Sequence, residues 1–324
     1  PEFSLKIAEF MTRQFTTRLA PSPTGALHLG NARTFLANWL LAKQRSWRVL
    51  FRMEDLDTPR TKSWAADAAI TELKWLGLDW GGDVITQSQR SEAYEAALKN
   101  LADRGSAYPC NCSRRDVETS ASAPAAEDRL GQQAAVYPGT CRNKNIDPAG
   151  AAWRVKVDDA VIEFDDNFAG PQSFNLSQTS GDFVIFRKTH QAAYQLAVVV
   201  DDAESGVDAI VRGDDLLESA AMQMYLRRLL GYDERMEYWH LPLVLGPDSR
   251  KLAKRHGDTR LCHYVSLGVT RQRMLGLLGY WLGTLENRRE TDISELAEKF
   301  DINKISAKPV IFGRDDHDFL VGRR

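Results

Sequence analysis

Phe15-Thr16-Thr17-Arg18-Leu19-Ala20, then Pro21-Ser22-Pro23-Thr24-Gly25-Ala26-Leu27-His28-Leu29-Gly30-Asn31, then the run from Ala32 to Lys43, then Trp47 to Met53: these consecutive stretches decide the fold. The first is short and strand-like, and two prolines and a glycine break the second. The third carries apolar residues at helical spacing, and the fourth reads as another strand. Strand, glycine-bearing turn, helix and strand within about 40 residues make a βαβ unit, which requires a parallel sheet covered by helices and a right-handed crossover. A Rossmann-like layer is expected.

Outward from that unit, amphipathic helices are expected at Trp64 to Leu76 and at Ser91 to Arg104, the second opened by Ser91 as N-cap and closed by Gly105. From Tyr108 the character changes. Cys110 and Cys112 precede an Ala/Ser/Asp/Glu-rich stretch to Ala126, then Tyr137-Pro138-Gly139-Thr140-Cys141 and alternating segments at Ala152 to Val157 and Val161 to Phe164. Sheet character returns at Asp182 to Arg187 and at Tyr194 to Asp201, where Val198-Val199-Val200 suits a strand buried on both faces. A helix at Leu216 to Leu230, a strand at Tyr238 to Leu245, a basic loop at Arg250 to Arg255 and helices near Thr270 to Leu285 and Asp292 to Lys299 complete the pattern. The last twenty residues show no clear period. The fold class is α/β: a Rossmann-like parallel-sheet catalytic domain (11–107 and 182–246), an inserted cysteine-containing acceptor-type module (108–181) and a small C-terminal helical domain (247–324).

Composition sets limits on function. Hydrophobic residues make up 43% and charged residues 27% of 324 positions with a net charge of −2, which argues against a disordered chain or a coiled-coil rod. The longest apolar stretches, such as Leu196 to Val200, fall far short of the ~18 residues a membrane span needs. With few cysteines and no apolar leader, a reduced, cytoplasmic, monomeric protein away from the membrane is expected. Pro1 to Phe10 precede an internal Met11 and are read as an added segment outside the fold.

The turn from strand to helix is where open parallel sheets bind ligands. A helix N-terminus there attracts phosphate, Gly30 lets a nucleotide approach the backbone, and His28 and Asn31 add side-chain donors. A satisfied turn histidine beside a proline-rich connector is the other reading of the same residues, since neither common phosphate-loop pattern occurs.

The residues now carry a resemblance. Arg18-Leu19-Ala20-Pro21-Ser22-Pro23-Thr24-Gly25 with His28-Leu29-Gly30-Asn31 resembles the first signature of class I aminoacyl-tRNA synthetases of the glutamate and glutamine branch. Arg52-Met53-Glu54-Asp55-Leu56-Asp57 with Arg60 resembles that branch's second strand, Arg212-Gly213-Asp214-Asp215-Leu216-Leu217 its R-G-x-D-L-L segment, and Lys251-Leu252-Ala253-Lys254-Arg255 its KMSKS loop. The loop departs from the family at Ala253, where serine is usual, and at Arg255.

The resemblance implies ATP, with Mg²⁺, as substrate. His28 and Lys254 are then the catalytic residues, and Gly30, Asn31, Lys251 and Lys254 the ATP-binding ones. It implies that Arg18, Ala20 and Ser22 line a glutamate pocket, that Glu54 meets the ammonium, and that Tyr194 and Arg212 complete it. Bidentate arginines suit carboxylates, and phosphoryl chemistry asks the protein mainly for positioning and positive charge. Read without the family, Arg52 and Glu54 form a structural charge network, Tyr194 is core, and Arg250 to Arg255 is a solvated loop. Asp214 and Asp215 are expected as helix caps.

Cys110-x-Cys112 with Cys141 suggests a metal site, because neighbouring thiolates in a reducing compartment suit Zn²⁺; buried free thiols are the alternative. Here the sequence resembles a short branch of the family whose members attach glutamate to the queuosine base of tRNA(Asp). That likeness implies one structural Zn²⁺ on Cys110, Cys112, Tyr137 and Cys141. Cys262 is expected to be an incidental buried thiol. Only 69 residues follow Arg255, which the resemblance implies is too few for helical anticodon-binding domains. The partners implied are L-glutamate, ATP and tRNA(Asp) carrying queuosine, with RNA footprints at Arg227-Arg228, Arg250 to Arg255, Arg271 with Arg273, and Arg288-Arg289. The rivals are a truncated glutamyl-tRNA synthetase charging a 3′ end and a non-catalytic tRNA-binding paralogue.

Overall fold

The expected crossover forms. In the computed structural model β1 (Thr16–Leu19), α1 (Leu29–Gln44) and β2 (Arg48–Met53) follow one another, and β1 pairs with β2 in parallel from Thr16 opposite Arg48 to Leu19 opposite Phe51. The structure describes residues 14–56, 61–113, 115–117, 136–159, 161–233, 235–250, 252 and 258–323. Pro1 to Phe10, Asp57, Arg60, Lys251, Ala253, Lys254, Arg255 and the centre of the Ala/Ser-rich stretch lie outside the described residues.

After β2 come α2 (Ser63–Leu76) and β3 (Ile85–Thr86), which pairs in parallel with β2. Next is α3 (Ser91–Asp103), whose N-cap is Arg90 rather than Ser91: the serine stands one position inside the helix, and the cap residue makes no side-chain bond. Gly105 closes the helix with φ +68°, a conformation for which glycine has no Cβ penalty. Then follow β4 (Ala107–Cys110), β5 (Ala152–Val155), β6 (Val161–Asp166), β7 (Gly170–Asn175), the short α4 (Leu176–Thr179) and β8 (Val184–Phe186). β4, β5 and β8 form one antiparallel sheet, and β6 and β7 a hairpin.

Two expectations are corrected. Tyr194 to Asp201 is not a strand but the start of α5 (Tyr194–Glu204). All of Leu196 to Val200 is buried because α5 packs against α3 and α6 (Leu217–Leu230), and an unbroken apolar run loses the 3.6-residue signature that would distinguish it from a buried strand. The strand is the next segment, β9 (Ala209–Gly213), which pairs in parallel with β10 (Glu237–Leu241). Nor is Tyr238 to Leu245 continuous. It stops at Pro242, which has no N–H to give, and resumes as β11 (Val244–Leu245). β9 lies beside β1, where the Asp208 amide donates to the Thr16 carbonyl at 3.0 Å and the Thr16 amide to Asp208 Oδ1 at 2.7 Å.

The C-terminal part supplies α7 (Leu261–Ser266), α8 (Arg271–Trp281), α9 (Ile293–Lys299), β12 (Val310–Ile311), parallel to β11, and α10 (Arg314–Val321). Asp292 caps α9 by accepting the Glu295 amide at 2.8 Å. Met274, Leu275, Leu278 and Trp281 of α8 are buried in the same apolar cluster as Leu36 and Leu40 of α1 and Phe51 of β2. A second cluster joins α3, α5 and α6. The C-terminal ends of β1, β2 and β9 and the mouth of α1 therefore open onto one face, between the two cores.

Candidate active site

At that face lies a cavity of about 750 Å³. Its walls include Arg18, Ala20, Ser22, His28, Gly30, Asn31, Glu54, Tyr194 and Arg212, so every described residue proposed for glutamate or ATP faces one space.

His28 is the N-cap of α1, and its Nδ1 accepts the Asn31 amide at 3.3 Å. That hydrogen bond puts the neutral ring's proton on Nε2, so the imidazole donates through that atom alone. The helix mouth is thus partly occupied by the protein. The Leu29 amide donates to the Thr259 carbonyl at 3.0 Å, and the Asn31 amide is taken by His28, so these two are not the phosphate donors that position alone suggests. Gly30 keeps room for the ring, since a Cβ there would stand 3.2 Å from the His28 imidazole.

The chain returns to this mouth after the basic loop. His28 pairs with Arg260 in an antiparallel bridge, and the Leu261 amide donates to the Leu27 carbonyl at 2.7 Å. Leu252 before the loop and Asp258 after it both line the cavity. The flanks of the KMSKS-like segment therefore sit against the His28 turn; Lys251 and Lys254 themselves lie outside the described residues.

The cavity wall also carries buried charge. Arg18 on β1 is buried, with Nε 3.5 Å from Asp202 Oδ1. Arg52 on β2 reaches Glu54 at 3.0 Å and also pairs with Asp202. Asp201 takes Gln87 at 2.8 Å, Arg90 at 2.6 Å and Tyr94 at 2.9 Å. Burial pushes the Glu54 carboxyl up against the opposing pull of Arg52 and Arg18, while burial lowers Arg18 despite Asp202. Glu54 thus belongs to a structural network with Arg52 and lines the cavity, while Arg52 stands buried behind it. Tyr194, at the first turn of α5, also faces the cavity rather than being simple core.

Arg212 is held on three sides: Nε donates to His240 Nε2 at 2.9 Å, Nη1 to Gln223 Oε1 at 3.0 Å and Nη2 to the Leu216 carbonyl at 3.3 Å. Asp214 and Asp215 are not side-chain caps of α6, as expected from sequence; they lie in a short 3₁₀ turn ahead of it, and Leu216 is the N-cap with no side-chain bond. Sequence reading also missed Asp202, His240 and Asp166. The Asp201-Asp202 pair ending an apolar run was the one available signal for the first.

The three cysteines converge. Cys110, Cys112 and Cys141 carry sulfurs within 4.8 Å of one another, spacing that a single metal ion could bridge, and the Tyr137 hydroxyl stands 3.4 Å from Cys110 Sγ and 3.7 Å from Cys112 Sγ. Tyr137 also accepts the Cys141 amide at 2.8 Å. Arg154, which sequence did not flag, donates to Cys110 Sγ at 3.3 Å and lies over the Tyr137 ring at 3.7 Å. Burial alone would raise the Cys141 thiol, but Tyr137, the backbone and the neighbouring sulfurs bring it to about 7, favouring the thiolate. Cys262 is exposed rather than buried.

The expected basic footprints are largely committed. Arg227 is buried and donates to the Asp233 carbonyl; Arg273 pairs with Glu290 at 2.9 Å, Arg288 with Asp316 at 2.8 Å, and Arg289 with Glu295.

A nucleotide-binding α/β sheet with an arginine-walled cavity at its strand ends agrees with the comparison by family. The model for "tRNA synthetases class I (E and Q), catalytic domain" matches residues 14–318. The chain belongs to this family and is an ATP-dependent ligase of the class I aminoacyl-tRNA synthetase type. Among its relatives, the glutamyl-Q tRNA(Asp) synthetase of Rhodopirellula baltica is 43% identical over 314 residues, covering 91% of this chain and 95% of that protein. The protein of the same name from Symbiobacterium thermophilum is 42% identical over 306 residues, covering 90% and 94%. A glutamate–tRNA ligase of Nitratidesulfovibrio vulgaris is 38% identical over 94% of this chain but 65% of its own length. The crystal structure of a glutamate tRNA ligase from Elizabethkingia meningosepticum in complex with its amino acid shares the fold, with TM-score 0.77, 24% identity and coverage of 95% of this chain and 69% of that one. Among the described residues no helix is long and apolar enough to cross a membrane.

Proposed function

We propose that the chain activates L-glutamate with ATP and Mg²⁺ to glutamyl-adenylate without needing tRNA. The glutamyl group then passes to the queuosine base in the anticodon loop of tRNA(Asp). The observation that carries the reading is one cavity lined both by two buried arginines, Arg18 and Arg212, and by the His28 turn. The relatives of similar length that carry the glutamyl-Q name support the acceptor.

In the first step an oxygen of the glutamate α-carboxylate bonds to the α-phosphorus and pyrophosphate leaves with the bonding pair. Arg18 and Arg212 orient the carboxylates, Glu54 and Tyr194 receive the ammonium end, and Ala20 and Ser22 close the pocket wall. Positioning two reactants in this way replaces an improbable encounter with a near-attack arrangement. His28 Nε2–H, with Gly30 and Asn31 beside it, meets phosphate oxygens as charge builds. Lys251 and Lys254 would hold the departing pyrophosphate from the loop whose flanks reach the cavity. In the second step a cyclopentene hydroxyl of queuosine attacks the activated carbonyl, and AMP leaves as the hydroxyl gives up its proton.

Zn²⁺ on Cys110, Cys112 and Cys141, with Tyr137 as the fourth neighbour, would tie two separate stretches of the chain, 110–112 and 137–141, together. Purified protein is expected to carry about one zinc per chain by elemental analysis, and a Cys110→Ser, Cys141→Ser double variant to carry none. Equal metal content in the two would refute the assignment.

Glutamate-dependent ATP–pyrophosphate exchange without tRNA tests the first step. Exchange is expected with glutamate alone. A strict requirement for tRNA favours 3′-end charging, and no exchange with any amino acid favours a non-catalytic paralogue. For the second step, labelled glutamate is expected on tRNA(Asp) containing queuosine and not on the same tRNA containing guanosine; equal labelling rejects the acceptor.

A further inference from the structure

Asp166 ends β6, far along the chain from His240 on β10, yet the two meet in the interior, fully shielded from water. Asp166 Oδ1 accepts three backbone amides, from Phe168 at 2.9 Å, Ala169 at 2.7 Å and His240 itself at 3.1 Å. Oδ2 lies 2.6 Å from His240 Nδ1. The opposite ring nitrogen, Nε2, is 2.9 Å from Arg212 Nε. A guanidinium has only donors, so His240 Nε2 must accept and can bear no proton. The ring proton is therefore on Nδ1, donated to Asp166. Burial and the positive charge of Arg212 oppose a second proton on the ring, and outweigh the pull of Asp166. The carboxylate is kept ionised by His240 and the amides even though burial works against it.

We infer that Asp166 and His240 form a positioning relay for the amino-acid site: Asp166 fixes the tautomer of His240, and His240 fixes the Arg212 guanidinium toward the cavity. This rests on the proposed glutamate reading for the ligand, but the relay itself is defined by the protein alone. Of the five guanidinium N–H groups, His240, Gln223 and the Leu216 carbonyl take three. Two are left, which is the number a single carboxylate accepts in a bidentate pair. Gln223 is itself steadied by donating to Gln195 at 2.9 Å, and Gln195 donates to Ser219 at 3.0 Å. The fork can neither swing nor rotate without breaking one of these bonds, so the pocket is set for a carboxylate before any ligand arrives.

This arrangement predicts an unusual sensitivity to a near-isosteric change. In Asp166→Asn the three amides require an oxygen at the Oδ1 position, which turns the new NH₂ toward His240 Nδ1. The imidazole must then shift its proton to Nε2, aiming one donor at another, the Arg212 Nε–H. The Leu216 carbonyl, which also faces the imidazole, is the alternative acceptor, and taking it competes with Arg212 Nη2. Arg212 is displaced either way.

In the wild-type protein, nitrogen NMR of His240 is expected to show the Nδ1–H tautomer; an Nε2–H tautomer would overturn the relay whatever the substrate is. In Asp166→Asn the tautomer is expected to switch. The KM for glutamate in pyrophosphate exchange should rise roughly 10–100-fold, the loss of one charge-assisted bond, with the KM for ATP within about twofold. If that variant does not fold, His240→Leu and His240→Gln decide the matter. The glutamine amide oxygen can still accept from Arg212 and is expected to recover most of the glutamate affinity lost in the leucine variant. Equal glutamate KM in those two, or parallel rises for glutamate and ATP, would mean that His240 only packs. A wild-type protein without any glutamate-dependent exchange would defeat the functional reading, and the His240 tautomer would then decide the relay by itself.

Discussion

Arg212→Lys is expected to reduce kcat/KM for glutamate in pyrophosphate exchange by about 10²–10⁴-fold while leaving the KM for ATP unchanged. Lysine keeps the positive charge but replaces a planar fork of five donors with a single ammonium on a flexible stem. It cannot hold His240, Gln223 and the Leu216 carbonyl together and still offer two parallel donors to a carboxylate. Losing two charge-assisted hydrogen bonds at about 1.5–3 kcal/mol each gives roughly 3–6 kcal/mol, which is about two to four orders of magnitude in the specificity constant. Lysine is the sharper test than alanine, because alanine would strip His240 Nε2 and Gln223 Oε1 of their donor inside the protein and mix a folding cost with a binding cost. Preserved glutamate kinetics in a folded Arg212→Lys protein would remove this residue from the amino-acid site. A matching loss for ATP would show that the cavity had collapsed as a whole.

The placement of Arg212 also marks where sequence reading ran out. The crossover was legible because strand, broken turn and amphipathic helix are local patterns, and the arginines at 18 and 212 were legible from the motifs that resemble the family and from the carboxylates a glutamate pocket must hold. Convergence of Cys110, Cys112 and Cys141 could be anticipated from spacing alone. Local patterns failed where burial was complete: Leu196 to Val200 looks like a strand because five consecutive residues of α5 are apolar and buried, and its polar residues fall outside that run. They failed also where one residue overrules its neighbours, as Pro242 does in dividing β10 from β11. Capping rules pointed to Ser91, Asp214 and Asp215, yet none of them caps by its side chain, because the preceding turn sets where each helix begins. The Asp166–His240–Arg212 chain was out of reach for a different reason. Its members lie on β6, β10 and β9, and no periodicity within one segment reports a contact made across the assembled sheet.

Arg52→Met should destabilise the fold by about 3–5 kcal/mol at neutral pH, the cost of leaving buried carboxylates without their cation. Arg52 is 1% exposed and stands between Glu54, Asp202 and Asp201; burial opposes its charge, but the three carboxylates more than compensate and raise its affinity for the proton. Methionine has similar reach without charge, so volume is roughly kept and the electrostatic change isolated. The pH dependence has a definite sign. In the wild type the Asp202 carboxyl is held below its ordinary value, against burial, by Arg52 and Arg18. Its contribution is therefore complete above the unfolded carboxylate range and is lost as pH falls below that range. With Arg52 gone, burial dominates at Asp202 and adds to the upward push already present at Glu54, so both fold better protonated. That penalty is absent at pH values below the unfolded carboxylate range and grows as pH rises through it. The stability gap between variant and wild type should accordingly narrow as pH is lowered from about 7.5 to about 5, measured as the difference in urea midpoints at fixed m-value. A gap that stays constant across that interval would show that methionine costs packing rather than charge balance, and would detach Arg52 from the network that holds Glu54 and Arg18 at the cavity wall.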